Sequence, residues 1–252
     1  MPNKKALITG ATSGIGLATA RILADNNYDV IICGRRKERL EELASELSGK
    51  VNVQMLSFDV SDKKDVKAAF ESLDSEWRTI DVLINNAGNA HGLSPLNEGD
   101  IEDWDAMMDI NVKGLLYVSN EVIPEMVKSK KGHIVNIGSI AGKEVYPNGN
   151  VYCASKHAVD AINKGMLIDL NQHNIKVTAI NPGLVETEFS QVRFKGDKER
   201  AEKVYKGFDP LMAKDIAETI YFVVSRPAHV KICDLTIFPT AQASATIVNK
   251  SE

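Results

Sequence analysis

Cysteine is scarce in this chain. Cys33, Cys153 and Cys233 are the only three, and they stand far apart. That spacing excludes a disulfide framework and a zinc cluster, and the usage fits a reducing cytoplasm. Positive charge is not in excess either. Thirty Lys and Arg face 34 Asp and Glu, for a net charge of −4. With no charge run and no stretch interleaving aromatic and basic residues, nucleic acid is not an expected partner. No apolar stretch is long enough to cross a membrane, and the opening Met1-Pro2-Asn3-Lys4-Lys5 carries no signal-peptide pattern. Repeats and low-complexity segments are lacking as well. The expectation is a soluble cytoplasmic protein, a single domain over residues 1–252, with 44% hydrophobic residues to fill its core.

Apolar runs of two lengths alternate along the chain. Short ones predict strands at Lys5–Thr9, Asp29–Cys33, Asn52–Ser57, Val82–Asn85, His133–Ile137, Lys176–Asn181 and Leu235–Phe238. Longer ones with helical spacing predict helices at Gly14–Asp25, Arg36–Leu47, Lys63–Leu73, Ile101–Val127, Val151–Asn174 and Lys214–Ser225. Such alternation implies an α/β fold, a doubly wound parallel sheet with helices on both faces and a ligand crevice at the carboxyl ends of the strands.

The first strand runs into Gly10-Ala11-Thr12-Ser13-Gly14-Ile15-Gly16, and a helix follows. Glycines there let a backbone approach a pyrophosphate closely, and the free N–H groups of the helix start face the anion. The second strand ends in Gly34-Arg35-Arg36, with no acid until Glu38. An acid at this place would grip a ribose 2′-hydroxyl, whereas arginine suits a 2′-phosphate. The expected cofactor is therefore NADP, held by Arg35, with Arg36 adding charge and Ser13 a further donor.

Tyr152 and Lys156 are four residues apart, so a helix stacks them on one face; Ser139 stands thirteen positions before the tyrosine. A phenol near pKa ~10 exchanges protons poorly at neutral pH, and moving it about three units costs roughly 4 kcal/mol. One ammonium at about 4 Å in an effective dielectric of ~20 supplies an energy of that order. The glycine loop, Arg35, Asp59-Val60, Asn85–Gly88, Ser139 and Asn181–Gly183 each follow a predicted strand end. All therefore converge on one edge of the sheet. The segment from Pro182 to Met212 has no clear sheet element and reads as a substrate lid, within 183–212.

Taken together, these residues resemble the short-chain dehydrogenase/reductases over nearly the whole chain. The resemblance rests on Thr9–Gly16, Asn85-Asn86-Ala87-Gly88, Asn111, Ser139, Tyr152-Cys153-Ala154-Ser155-Lys156 and Pro182-Gly183. It implies an NAD(P)-dependent oxidoreductase on a seven-stranded Rossmann sheet, usually a homotetramer. By that likeness Tyr152 is the general acid/base, Lys156 its partner and a holder of the nicotinamide ribose. Ser139 steadies the substrate oxygen, and Asn111 keeps a water for a proton relay. Cofactor contacts would come from Gly10, Thr12, Ser13, Gly14, Ile15 and Gly16 in the loop, Arg35 and Arg36 beyond it, and Asp59 with Val60 at the adenine. Asn85, Asn86, Ala87 and Gly88 would line the channel, followed by Pro182, Gly183, Val185 and Thr187, the last at the carboxamide. No metal is implied.

Asn150–Tyr152, Pro182–Phe189, Val192–Asp197 and Pro227–Val230 further resemble the NADP-dependent 3-hydroxy acid dehydrogenases, which act on serine, allo-threonine and related small acids. Arg193 has the chemistry to clamp a substrate carboxylate bidentately; Lys195 is the alternative, and both could equally be solvated. His91 stands where those relatives carry an apolar side chain. Two other readings remain: a reductase of 3-oxoacyl thioesters or neutral ketones, which would not depend on Arg193, and a non-catalytic NADPH-sensing module.

Overall fold

A computed structural model describes residues 3–251; Met1, Pro2 and Glu252, the ends of the expected domain, lie outside them. The chain runs β1 (Lys4–Thr9), α1 (Gly14–Asp25), β2 (Tyr28–Gly34), α2 (Lys37–Leu47), β3 (Val53–Ser57), α3 (Lys63–Glu71), β4 (Val82–Asn85) and α4 (Ile101–Met108). A π-helical turn (Asp109–Gly114) leads to α5 (Leu115–Ser129), β5 (Gly132–Ile137), α6 (Asn150–Asp169) and β6 (Ile175–Pro182). Then come β7 (Val185–Glu186), α7 (Phe189–Arg193), α8 (Lys198–Tyr205), β8 (Leu211–Met212), α9 (Ala213–Val224) and β9 (Asp234–Ile237).

Seven strands form one sheet in the order β3-β2-β1-β4-β5-β6-β9. Each neighbouring pair is parallel. Both faces are covered, which is why the strands read as continuous apolar runs. Along β1 the side chains alternate: Ala6 and Ile8 join Leu23, Leu40 and Ile220 of α1, α2 and α9. Leu7 joins Val66, Val118 and Val159 of α3, α5 and α6 on the other face. Fully buried, each such Leu or Ile contributes roughly 1.5–3 kcal/mol. After β3 the chain crosses back to set β4 beside β1, so the strand order reverses there. The carboxyl ends of β1 and β4 then diverge into the crevice that this topology opens.

Two long predicted helices are shorter than their apolar patterns. The pattern over Ile101–Val127 is interrupted by the π-helical turn, where one extra residue per turn turns Asn111 inward. Gly114 in that turn packs against Val60, whose Cγ2 lies 2.9 Å from where a glycine β-carbon would stand. The pattern over Val151–Asn174 ends as a helix at Asp169 and is closed by a 3₁₀ turn and Asn174 at φ 56°. The expected lid segment holds β7 paired with β8, together with α7 and α8.

Candidate active site

At the start of α1, Gly10 and Gly14 have φ +67° and +51°, conformations that strain a side-chain-bearing residue. A β-carbon on Gly16 would collide with the carbonyl of Gly10 and with Asn86 Nδ2. The loop is tied to the end of β4: Asn86 Nδ2 donates to the Thr9 carbonyl at 2.8 Å, and Thr9 Oγ1 accepts from the amides of Asn86 and Ala87 at 3.0 and 2.9 Å. Ser13 precedes α1 without capping it through its side chain, so the helix start keeps amide groups for an anion.

Arg36, expected only to add charge, is bound closely to this loop. Its Nε and Nη2 donate to Thr12 Oγ1 at 3.1 and 2.8 Å, and Nη2 donates to Ser13 Oγ at 2.8 Å. Arg35 points away from the loop and donates to Asp59 Oδ2 at 3.2 Å.

From this loop a cleft of about 720 Å³ extends past Arg35, Arg36, Asp59, Val60, Asn86, Ala87 and Gly88 to Ser139, Tyr152 and Lys156. Pro182, Gly183, Val185, Thr187 and Arg193 line it as well, together with Gly10, Thr12, Ser13, Gly14 and Ile15 of the loop. A cleft of this volume, with glycines at the anion end, fits a dinucleotide together with a small second ligand. Three expected residues stand outside it. Gly16 supports the loop from behind. Asn85, expected to line the channel, turns into the interior, where its Nδ2 donates to Ser119 Oγ and Asn136 Oδ1 at 2.9 and 3.0 Å; the pleat of β4 sends neighbouring side chains to opposite faces. Asn111 is buried behind the cleft. It pairs reciprocally with the backbone of Asn89 (2.8 and 2.9 Å) and donates to Ser155 Oγ at 3.0 Å.

Tyr152 and Lys156 share one face of α6 and are both buried. Burial and the neighbouring Tyr146 push the Tyr152 phenol above its ordinary value, while the Ser139 hydroxyl and the Arg193 guanidinium pull it back. Lys156 does not supply the expected lowering here: its ammonium donates to the Ile137 carbonyl at 2.9 Å. Burial brings the lysine itself down to about 8, a value from which it can exchange protons near neutral pH.

Arg193 reaches the same end of the cleft from α7. Its guanidinium donates to the Gly92 carbonyl at 3.2 Å through Nε and to the Tyr146 hydroxyl at 3.0 Å through Nη1. Nη2 is buried with no hydrogen-bond partner. Lys195, the alternative clamp, is paired with Asp103 at 3.0 Å and Asp100 at 3.5 Å, outside the cleft. His91 does line the cleft, 2.7 Å from Asn89 Nδ2, and burial lowers its pKa.

Tyr146, Glu188, Phe189 and Gln242 also line the cleft, and none of them was among the expected site residues. For Tyr146 a faint signal exists: Gly149, three positions on, is where a β-carbon would strike the tyrosine ring. Gln242 comes from near the end of the chain, and its Oε1 accepts from the Leu184 amide at 2.9 Å. Nothing local in the sequence marks it.

Among the described residues no helix is long and apolar enough to cross a membrane, and no group of His, Cys, Asp and Glu could hold a metal ion.

Known proteins are similar to this chain in sequence and fold. The chain is 45% identical over 240 residues to the NADP-dependent 3-hydroxy acid dehydrogenase YdfG of Salmonella typhi, covering 95% of this chain and 96% of that one. It is 43% identical over 238 residues to sulfoacetaldehyde reductase 2 of Chromohalobacter salexigens, 94% of each. A closed form of serine dehydrogenase complexed with NADP⁺ superimposes with a TM-score of 0.92 at 41% identity, over 98% of this chain and all of that one. The sequence model for short chain dehydrogenases matches residues 4–198, and on that match, with these relatives, the protein belongs to the short-chain dehydrogenase family.

Proposed function

We propose that this protein is an NADP-dependent oxidoreductase that interconverts the 3-hydroxyl and 3-carbonyl of a small 3-hydroxy acid. The observation that carries the reading is Arg193 Nη2, a buried guanidinium N–H without a partner at the Tyr152 end of the cleft. A buried donor left unpaired costs about 1–3 kcal/mol, and an anionic oxygen is its best complement. Thr12, Ser13, Arg35 and Arg36 would receive the cofactor's 2′-phosphate at the other end, and Asp59 and Val60 the adenine.

When bound, the nicotinamide accepts or gives the hydride. The chain's own groups manage the proton and the orientation. In oxidation Tyr152 takes the substrate hydroxyl proton, and in reduction it returns it. The phenol is raised by its surroundings, so the groups that favour its ionised form, the Ser139 hydroxyl and the Arg193 guanidinium, set how readily it gives up its proton. Ser139 steadies the substrate oxygen. Lys156 carries the proton onward, and Asn111, by fixing Asn89, holds the far side of that path. Segment 183–212 is the lid, anchored to the body where the Gly92 amide donates to the Arg193 carbonyl at 2.9 Å. Exposed Leu116 and Ile168 on α5 and α6 supply apolar surface for self-association, which supports a homotetramer; three unpaired cysteines support a cytoplasmic setting.

The Chromohalobacter relative is named for sulfoacetaldehyde, and an anionic sulfonate would meet the same Arg193 and Tyr146 donors. Initial rates of NADP⁺ reduction test the reading with a matched pair, a small 3-hydroxy acid and the same alcohol lacking the carboxylate. Strong preference for the acid is expected. Equal rates would leave a reductase of thioesters or neutral ketones, no turnover of any carbonyl or alcohol would leave a sensing module, and faster sulfoacetaldehyde reduction would move the substrate to sulfonates.

A further inference from the structure

Arg36 has both edges of its guanidinium engaged. The Nε–Nη2 edge faces the hydroxyls of Thr12 and Ser13, while Nη1 donates to Glu188 Oε2 at 3.0 Å. Arg39, one turn along α2, holds the same carboxylate, its Nη1 at 2.9 Å from Oε1 and 3.1 Å from Oε2. Glu188 therefore fixes the rotation of Arg36 about its side-chain axis. A fork held in one orientation loses less freedom on meeting a phosphate than one that must first be ordered.

Glu188 is also part of the lid. Thr187 before it packs over Gly14, its Cβ lying 3.3 Å from where a β-carbon of that glycine would stand. Phe189 after it begins α7 and packs on Tyr152, with 5.7 Å between ring centroids. The same helix ends at Arg193. One carboxylate thus stands between the arginine at the loop hydroxyls and the helix that covers the catalytic tyrosine. Its own charge does not leave the site anionic, because two arginines share it.

We infer that Glu188 is a positioning residue for cofactor selectivity, tying the lid to the 2′-phosphate end of the cleft so that lid closure responds to NADPH more than to NADH. This rests on the cofactor assignment above and adds to it a coupling between two ends of the site. The coupling is reciprocal: what holds Arg36 holds Glu188 and α7, and a closed lid in turn favours the phosphate. A phosphate would take the Nε–Nη2 edge over from the Thr12 and Ser13 hydroxyls, while Nη1 keeps the lid through Glu188.

The test is Glu188→Gln in the full chain, with NADPH and NADH titrated by nicotinamide fluorescence. Tryptic cleavage within 187–206 is followed at saturation with each. In the unaltered protein NADPH binds more tightly and slows lid cleavage more than NADH does. In the variant NADPH affinity falls about fivefold, the effect an exposed networked ion pair reaches. NADH affinity stays within about twofold, which also reports an intact fold, and the difference in cleavage disappears. An unchanged NADPH-to-NADH ratio with lid protection retained overturns the inference, leaving Glu188 a surface ion pair. Tighter NADPH binding overturns it too, since the carboxylate would then be a competing anion. If the unaltered protein shows no preference for NADPH, it is the cofactor assignment that fails, and the inference with it.

Discussion

The guanidinium of Arg193 lies over the ring of Tyr152, its carbon 5.5 Å from the ring centroid, and over that of Tyr146 at 5.6 Å. A cation beside the face of a phenol favours the phenolate, and a bare N–H beside it favours an anionic substrate. One residue thus couples substrate charge to the proton donor. Arg193→Ala is expected to lower kcat/KM for a 3-hydroxy acid about 10- to 100-fold, the range of a charged hydrogen bond. Most of that loss falls in KM for the acid; a neutral ketone keeps its KM and loses only the smaller share of kcat that comes through the phenol. Parallel losses on both substrates would reduce Arg193 to a shaper of the lid.

Tyr152→Phe removes the only exchangeable proton of that side chain while keeping its ring against Phe189. Turnover is expected to fall by about 10²–10⁴, the contribution of a general acid/base. NADPH affinity should stay within a few-fold. Activity retained at near-normal rates would give the proton transfer to another group.

At the other end of the cleft, Arg36 touches the glycine loop and Arg35 touches Asp59. Both substitutions to alanine should weaken NADPH more than NADH, and Arg36→Ala should do so more strongly. A single guanidinium–phosphate contact is a charge-assisted hydrogen bond of about 1.5–3 kcal/mol, or roughly 10- to 100-fold in Kd. Equal losses for the two cofactors, read by fluorescence titration, would remove the 2′-phosphate from this site.

Much of the site was legible because its requirements are local. The glycine loop sits between a strand and a helix, Tyr152 and Lys156 share a helix face, and the parallel sheet carries every strand end to one edge. Departures arose where geometry depends on partners distant in the chain. The pleat of β4 decides that Asn86 meets the loop while Asn85 meets Ser119. The π-helical turn depends on space for Asn111 next to Asn89. Glu188 acquires a function only through Arg36, 152 positions away. Between Arg35 and Arg36 the sequence offers two adjacent guanidiniums, and only the direction in which the chain leaves β2 separates them.

His133, at the amino end of β5 and remote from the cleft, contributes to the acid response. Thr178 Oγ1 donates to the Ile232 carbonyl at 2.5 Å, so it accepts from His133 Nε2, 2.9 Å away, and leaves Nδ1 buried and unpaired. Burial, helped by Lys176 and Lys4, lowers the imidazole to about 3. The unfolded chain takes up this proton below pH ~6.5 and the native state does not, so the stability from His133 is complete above pH ~6.5 and declines as pH falls toward 3. Between pH 7.5 and 5 the loss is about 2 kcal/mol. His133→Gln keeps an N–H for Thr178 but cannot titrate. Urea midpoints at pH 7.5 and 5 should therefore separate by less in the variant than in the unaltered protein. Equal separations would mean that His133 is protonated in the native state at pH 5, which the buried, unpaired Nδ1 opposes, since an added proton there would bring an unsolvated charge into the sheet.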